Sequence, residues 1–345
     1  TNDELSQSAY DSALAGVEDA KRAIVAARSG DFTAQAALEA SRDDNDCQSI
    51  GSYVNGITDD VDEIPIQSST SSAGAELNQA YSCLMVNDIT DDYRTTVEDG
   101  QLIMVPLRMV DNINRLTISW QRPSELAGGS ELSLGNGVNN SLLAKTVWNA
   151  DNYPAMLRLQ TITPSSSFNL DDFNNASTSS TVFLYPAMVG AGGAVRIPMP
   201  ERAGEDLSTP HQPEPVACDE TPNVLLDSYI CSVTLDLQRP VPSGSDFSYL
   251  VVRPIYRGAS IMIEGRMDNR LVQFDGAQPI VDSTGRANDL FRRVEARLTL
   301  GGEGERGSGL GGVIPHYALD TDGSICKNFY VTSRTSGSSE PECRP

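Results

Sequence analysis

The chain has 345 residues, enough for one large β-domain or two smaller ones, each able to bury a core. Its formal net charge of −22 repels nucleic-acid phosphates and anionic lipid headgroups, which argues against either as a main partner. The charge is also uneven: residues 1–100 hold 20 Asp and Glu against 5 Lys and Arg, while residues 251–300 hold 8 Arg against 6 Asp and Glu. That asymmetry either serves head-to-tail contact between copies or relatives, or simply leaves a neutral patch on an acidic surface.

The first thirty residues carry the clearest periodicity. Tyr10, Leu14, Val17, Ala20, Ile24 and Ala27 recur at three- and four-residue steps, the spacing of one helix face. Thr1, Asn2 and Asp3 suit the start of that helix, Gly30 suits its stop, and a second short helix is predicted from Asp31 to about Ala40. Residues 41–75 are rich in Ser, Asp and Gly and read as a surface loop, with a helical turn at Glu76–Tyr81. The texture then turns to β. Strands are predicted at Leu102–Leu107, Leu116–Trp120, Met156–Ile162 and Thr181–Tyr185, with Leu116, Ile118 and Trp120 alternating onto one face. Residues 191–222, with Gly192–Gly193 and prolines at 198, 200, 210, 213 and 215, read as a linker or long loop. Further strands are predicted at Ser232–Leu237, Tyr249–Val252, Ala259–Glu264, Leu271–Phe274 and Arg293–Leu300. The fold class is α+β: an amphipathic N-terminal helix followed by a large, loop-decorated, mainly antiparallel β-region. Its expected divisions are 1–40 helical, 41–190 β-rich, 191–222 linker and 223–345 β-rich.

Little in the sequence carries chemistry. The only histidines are His211 and His316, there is no Gly-x-Ser-x-Gly elbow, and the acidic pairs Asp91–Asp92 and Asp171–Asp172 read as solvated turns. Gly302, Gly304 and Gly307 match the spacing of a dinucleotide fingerprint, but the Gly, Ser and Pro that follow up to Pro315 deny it the helix a pyrophosphate needs. No catalytic residue and no cofactor are expected. Asp320, Thr321, Asp322 and Gly323 resemble part of a calcium loop, so Asp320 and Asp322 are the candidate metal ligands, against a plain Asp-Gly turn before a strand at Phe329–Val331. Six cysteines without a C-x-x-C pair suggest disulfides and an exported protein rather than zinc. Six allow fifteen pairings, and the sequence-local one is preferred: Cys47 with Cys83, Cys218 with Cys231, Cys326 with Cys343. Export requires a hydrophobic targeting segment, and none lies between Thr1 and Pro345, so one is expected upstream.

Three stretches resemble a known family. Ala13-Leu14-Ala15-Gly16-Val17-Glu18-Asp19-Ala20 is similar to the early helix of PilX-type minor pilins of type IV pili, where members carry Ala-Glu-Ala-Gly at the first four positions. Asn78-Gln79-Ala80-Tyr81-Ser82-Cys83 resembles the same group, as does Ser283-Thr284-Gly285-Arg286 followed by Arg292-Arg293-Val294-Glu295-Ala296-Arg297-Leu298. The resemblance implies a helix-plus-sheet pilin architecture and a structural role in an extracellular cell-surface filament. It further implies other pilin subunits as partners through the N-terminal helix, contact with a host or abiotic surface, and a membrane reached only through the upstream segment. In such proteins the C-terminal loop is often stapled, the place of Cys326 and Cys343 here. A type II secretion pseudopilin and a free-standing cell-surface adhesin are the alternatives.

Overall fold

The computed structural model describes residues 2–57, 63–66, 78–122, 144–164, 167, 169–173, 177–187, 194–196, 214–218 and 229–299. Helix α1 (Asn2–Arg28) ends where the sequence places its stop: Gly30 takes a φ of 94° and the Asp31 N–H closes back on Ala26 O at 3.1 Å. Asp31 then starts α2 (Phe32–Asp43) by accepting the Thr33 N–H at 2.8 Å and the Ala34 N–H at 3.1 Å. The stretch 41–75 is not wholly loop, for α3 (Ser49–Asn55) buries Ile50 and Gly51 against the first sheet. A short fourth helix, α4 (Lys145–Ala150), places Trp148 in the main core.

The strands begin with β1 (Ile64–Pro65), β2 (Gln79–Thr90), β3 (Tyr93–Val97), β4 (Ile103–Pro106), β5 (Ile113–Gln121), β6 (Met156–Ile162) and β7 (Ser179–Ala187). They continue with β8 (Ala194–Arg196), β9 (Glu214–Ala217), β10 (Cys231–Val241), β11 (Tyr249–Ile255), β12 (Ala259–Met267), β13 (Arg270–Val272), β14 (Phe274–Ala287) and β15 (Leu290–Arg297). Where a helical turn was predicted at Glu76–Tyr81, the described residues instead open β2, because Tyr81 points into the core and Ala80 pairs across to β1 and β14.

Three sheets result. The first runs β1-β2-β14-β15, the second β13-β12-β5-β10-β8 with β3 alongside β12, and the third β4-β11-β6-β7-β9. Pairing is antiparallel except for β8 on β10 and β9 on β7, so the α+β, mainly antiparallel expectation holds. The second and third sheets share one buried cluster: Leu116, Ile118, Trp120 and Leu235 meet Leu157, Leu159, Leu184 and Leu250. Trp120 and Trp148 donate their indole N–H to Ala155 O and Pro154 O, both at 2.9 Å, so neither ring is buried with an orphan donor.

Strands β3–β13 lie in sequence between β2 and β14, which are direct neighbours in the first sheet. The sandwich is therefore an insertion into a helix-and-sheet layer. Strands from both sides of the 191–222 stretch share every sheet: β10 pairs with β5, β11 with β4 and β6, and β14 with β2. The stretch itself carries β8 and β9.

Candidate assembly surface

Helix α1 lies along the first sheet with small residues at the contact. Ala9, Ala13, Gly16, Ala20, Ala23 and Ala27 are buried, with Val17 and Ile24 beside them. Opposite sits Gly285 of β14, where a Cβ would overlap backbone atoms of Ala9, Ser12 and Ala13. Helix backbone therefore meets strand backbone at that point, and only glycine fits.

On the β2 side of the helix a polar network closes the layer. The Asp19 carboxylate is buried and accepts the Tyr81 hydroxyl at 2.7 Å, Asn55 Nδ2 at 3.1 Å and Arg22 Nη1 at 3.0 Å. Burial first, then the hydrogen bond to Asp19, pushes the Tyr81 phenol well above the ordinary tyrosine range. Helices α2 and α3 cover this side further: Arg42 pairs with Asp88, Ser41 Oγ receives the Val86 N–H, and the Cys47–Cys83 disulfide ties the α2–α3 connection to β2.

Among the described residues the β15 side is left open. Arg292 reaches up from β15 to the Ser6 hydroxyl at 2.6 and 2.9 Å, which places that flank of α1 above the edge strand. The next residues along the flank, Tyr10 and Leu14, are 43% and 37% exposed. An amphipathic helix normally hides such side chains, so the N-terminal half of α1 carries an apolar strip that the described chain does not cover.

The six helix-face residues thus divide. Val17, Ala20, Ile24 and Ala27 are buried on the chain's own sheet and helices, whereas Tyr10 and Leu14 face outward. Apolar size does not select the sheet-facing residues there, because close packing takes Ala9 and Ala13, one residue earlier. Two of the three cysteine pairs are bonded, Cys47–Cys83 and Cys218–Cys231. Cys326, Cys343, the calcium candidates Asp320 and Asp322, Gly302, Gly304, Gly307, His211, His316 and the strand at Phe329–Val331 lie outside the described residues. Among the described residues no group of three or more His, Cys, Asp or Glu side chains is arranged to hold a metal ion, and no helix is long and apolar enough to cross a membrane. A cleft lined by Thr161, Ser179, Leu237 and Arg239 has a volume of about 10 Å³, room for about one water molecule. Comparison of the chain with protein-family models, with curated proteins and with solved structures returned no match.

Proposed function

We propose that this chain is the extracellular part of a pilin-like subunit of the minor-pilin kind, a structural component of a type IV pilus and not an enzyme. The observation that carries this reading is the uncovered strip at Tyr10 and Leu14 on a 27-residue helix otherwise bedded on its own antiparallel sheet. A helix with two apolar flanks needs two covers. The sheet is one, and helices of neighbouring subunits are the other. Other pilin subunits are then the partners through α1, and the membrane is reached only through a segment upstream of it. The two disulfides suit an exported location. The inserted sandwich, remote in sequence from α1, supplies the surface for contact with a host or an abiotic material.

The test uses Tyr10→Asp and Leu14→Asp. Both positions are partly exposed in the subunit, so the thermal midpoint of the soluble chain is expected to stay within a few degrees. Incorporation into filaments is expected to fall at least about tenfold, because a charge is carried into an apolar helical contact. Unchanged incorporation of both variants would remove the support for the filament reading. Ile24→Asp cannot serve here, since Ile24 is buried in the chain's own layer and its loss unfolds the subunit itself.

A further inference from the structure

Among the described residues the first sheet ends on β15, and that edge has a pattern of its own. The Leu298 N–H donates to Pro279 O at 2.8 Å, which fixes the alternation of the β14–β15 ladder. Arg292, Val294 and Ala296 turn their backbone groups toward β14. Phe291, Arg293, Glu295 and Arg297 turn theirs away from it, along the outer edge. The side chains alternate too. Arg292 points to the α1 face, while Arg293 and Arg297 pair with Asp282 and Asp92 on the other face. Phe291 is 55% exposed.

An edge strand with free backbone groups is a template for another strand. What decides the occupant is the charge. Glu295 stands directly across the ladder from Asp282, and Arg293, two residues before it on the same strand, pairs with Asp282 and also feels the Glu295 charge. Arg293 and Glu295 flank Val294 with opposite charges, so the strand complements itself when it is laid antiparallel against a second copy. In the register that sets Val294 on Val294 of the second copy, Arg293 of each chain faces Glu295 of the other, and Phe291 faces Arg297. The outward backbone groups of both strands then meet in hydrogen-bonding pairs. A slip of two residues either way puts Arg293 on Arg293 or Glu295 on Glu295, so one register is selected against its neighbours.

We infer that the β15 edge binds the β15 edge of a second copy of this chain, antiparallel about a two-fold axis through Val294, joining two four-stranded sheets into one of eight. The contact is isologous and closes on itself as a dimer. The hydrogen-bonded strand edge carries the contact and the dimer is read in solution, so its test is separate from that of the filament reading.

The test is a charge exchange on the full 345-residue chain, read by sedimentation over roughly 1–100 μM. The unaltered chain is expected to dimerise within that range. Glu295→Arg leaves the Arg293–Asp282 pair in place and sets Arg against Arg across the axis, and Arg293→Glu sets Glu against Glu. Each is expected to raise the dimer dissociation constant at least about tenfold. An equimolar mixture of the two variants restores both opposite-charge pairs and is expected to recover dimers containing one chain of each kind. Circular dichroism checks that each variant is folded. A chain that stays monomeric throughout, a dimer indifferent to both variants, or a mixture that fails to recover would each overturn the inference.

Discussion

The helix-and-sheet layer and the inserted sandwich are held together by opposite means. Where α1 meets β14, Ala9, Ala13 and Gly285 bring backbone against backbone, and a hydrogen-bonded Asp19–Tyr81–Asn55 group seals the side. In the sandwich, Trp120, Trp148 and a set of leucines fill a thick core. The first contact has no room to gain an atom, and the second cannot lose one. The two regions should therefore respond to opposite kinds of substitution.

The sharpest contrast comes from removing volume in the sandwich. Trp120→Ala deletes a fully buried ring and an indole donor, and is expected to cost about 4 kcal/mol in denaturant unfolding. A cost under about 1 kcal/mol would mean the two sheets are not closely packed around it. Adding volume is the complementary break. Gly285→Val forces a branched side chain into the α1 backbone and is expected to cost about 3 kcal/mol. Hydrogen exchange should then show α1 and β15 losing protection while β5, β6 and β11 keep theirs. Equal loss in both regions would show that the layer and the insertion open as one.

The smallest effect sharpens the comparison through pH. Burial holds the Tyr81 phenol up in the helix layer, and burial does the same to Tyr185 and Tyr249 in the sandwich. A phenol whose folded pKa lies above its unfolded one stabilises fully below that unfolded value, about 10. The stabilisation is then lost as pH rises from there through the folded pKa. Stability is therefore expected to fall above about pH 10, and Tyr81→Phe is expected to flatten the fall for amides of α1 and β2 alone. A slope unchanged by Tyr81→Phe would separate the Asp19 network from alkaline unfolding.

The sequence was legible where one physical signal dominates. Leu116, Ile118 and Trp120 alternate strictly, and they lie on one inward face of β5. Gly30 marks the end of α1 because a left-handed residue is needed there. Two cysteine pairs close in sequence are bonded. Legibility failed where tertiary contact overrides local texture. β14 is a 14-residue strand whose Asp, Gly, Pro, Ser and Thr give little strand signal, and the sequence predicts no strand between Phe274 and Arg293, yet it lies between β2 and β15 under α1. α3 is Ser-Ile-Gly-Ser-Tyr-Val-Asn within a polar stretch, and it forms because Ile50 and Gly51 find the first sheet. The candidate surface followed the same pattern. Tyr10 and Leu14 were found by their apolarity, but their outward position depends on Ala9 and Ala13 taking the sheet instead. The β15 edge was invisible without strand order, because a strand reads the same at an edge as in a centre.

The central proposal is that the open flank of α1 contacts the helix of a neighbouring subunit in a filament. A photoreactive residue substituted at Leu14, in protein displayed on cells and irradiated in place, tests it most directly. The account predicts a cross-link from position 14 to the N-terminal helix of a neighbouring subunit, present in sheared filaments and absent from the soluble monomer. A cross-link confined to the chain's own β-region, or the same product from soluble monomer as from cells, would contradict it.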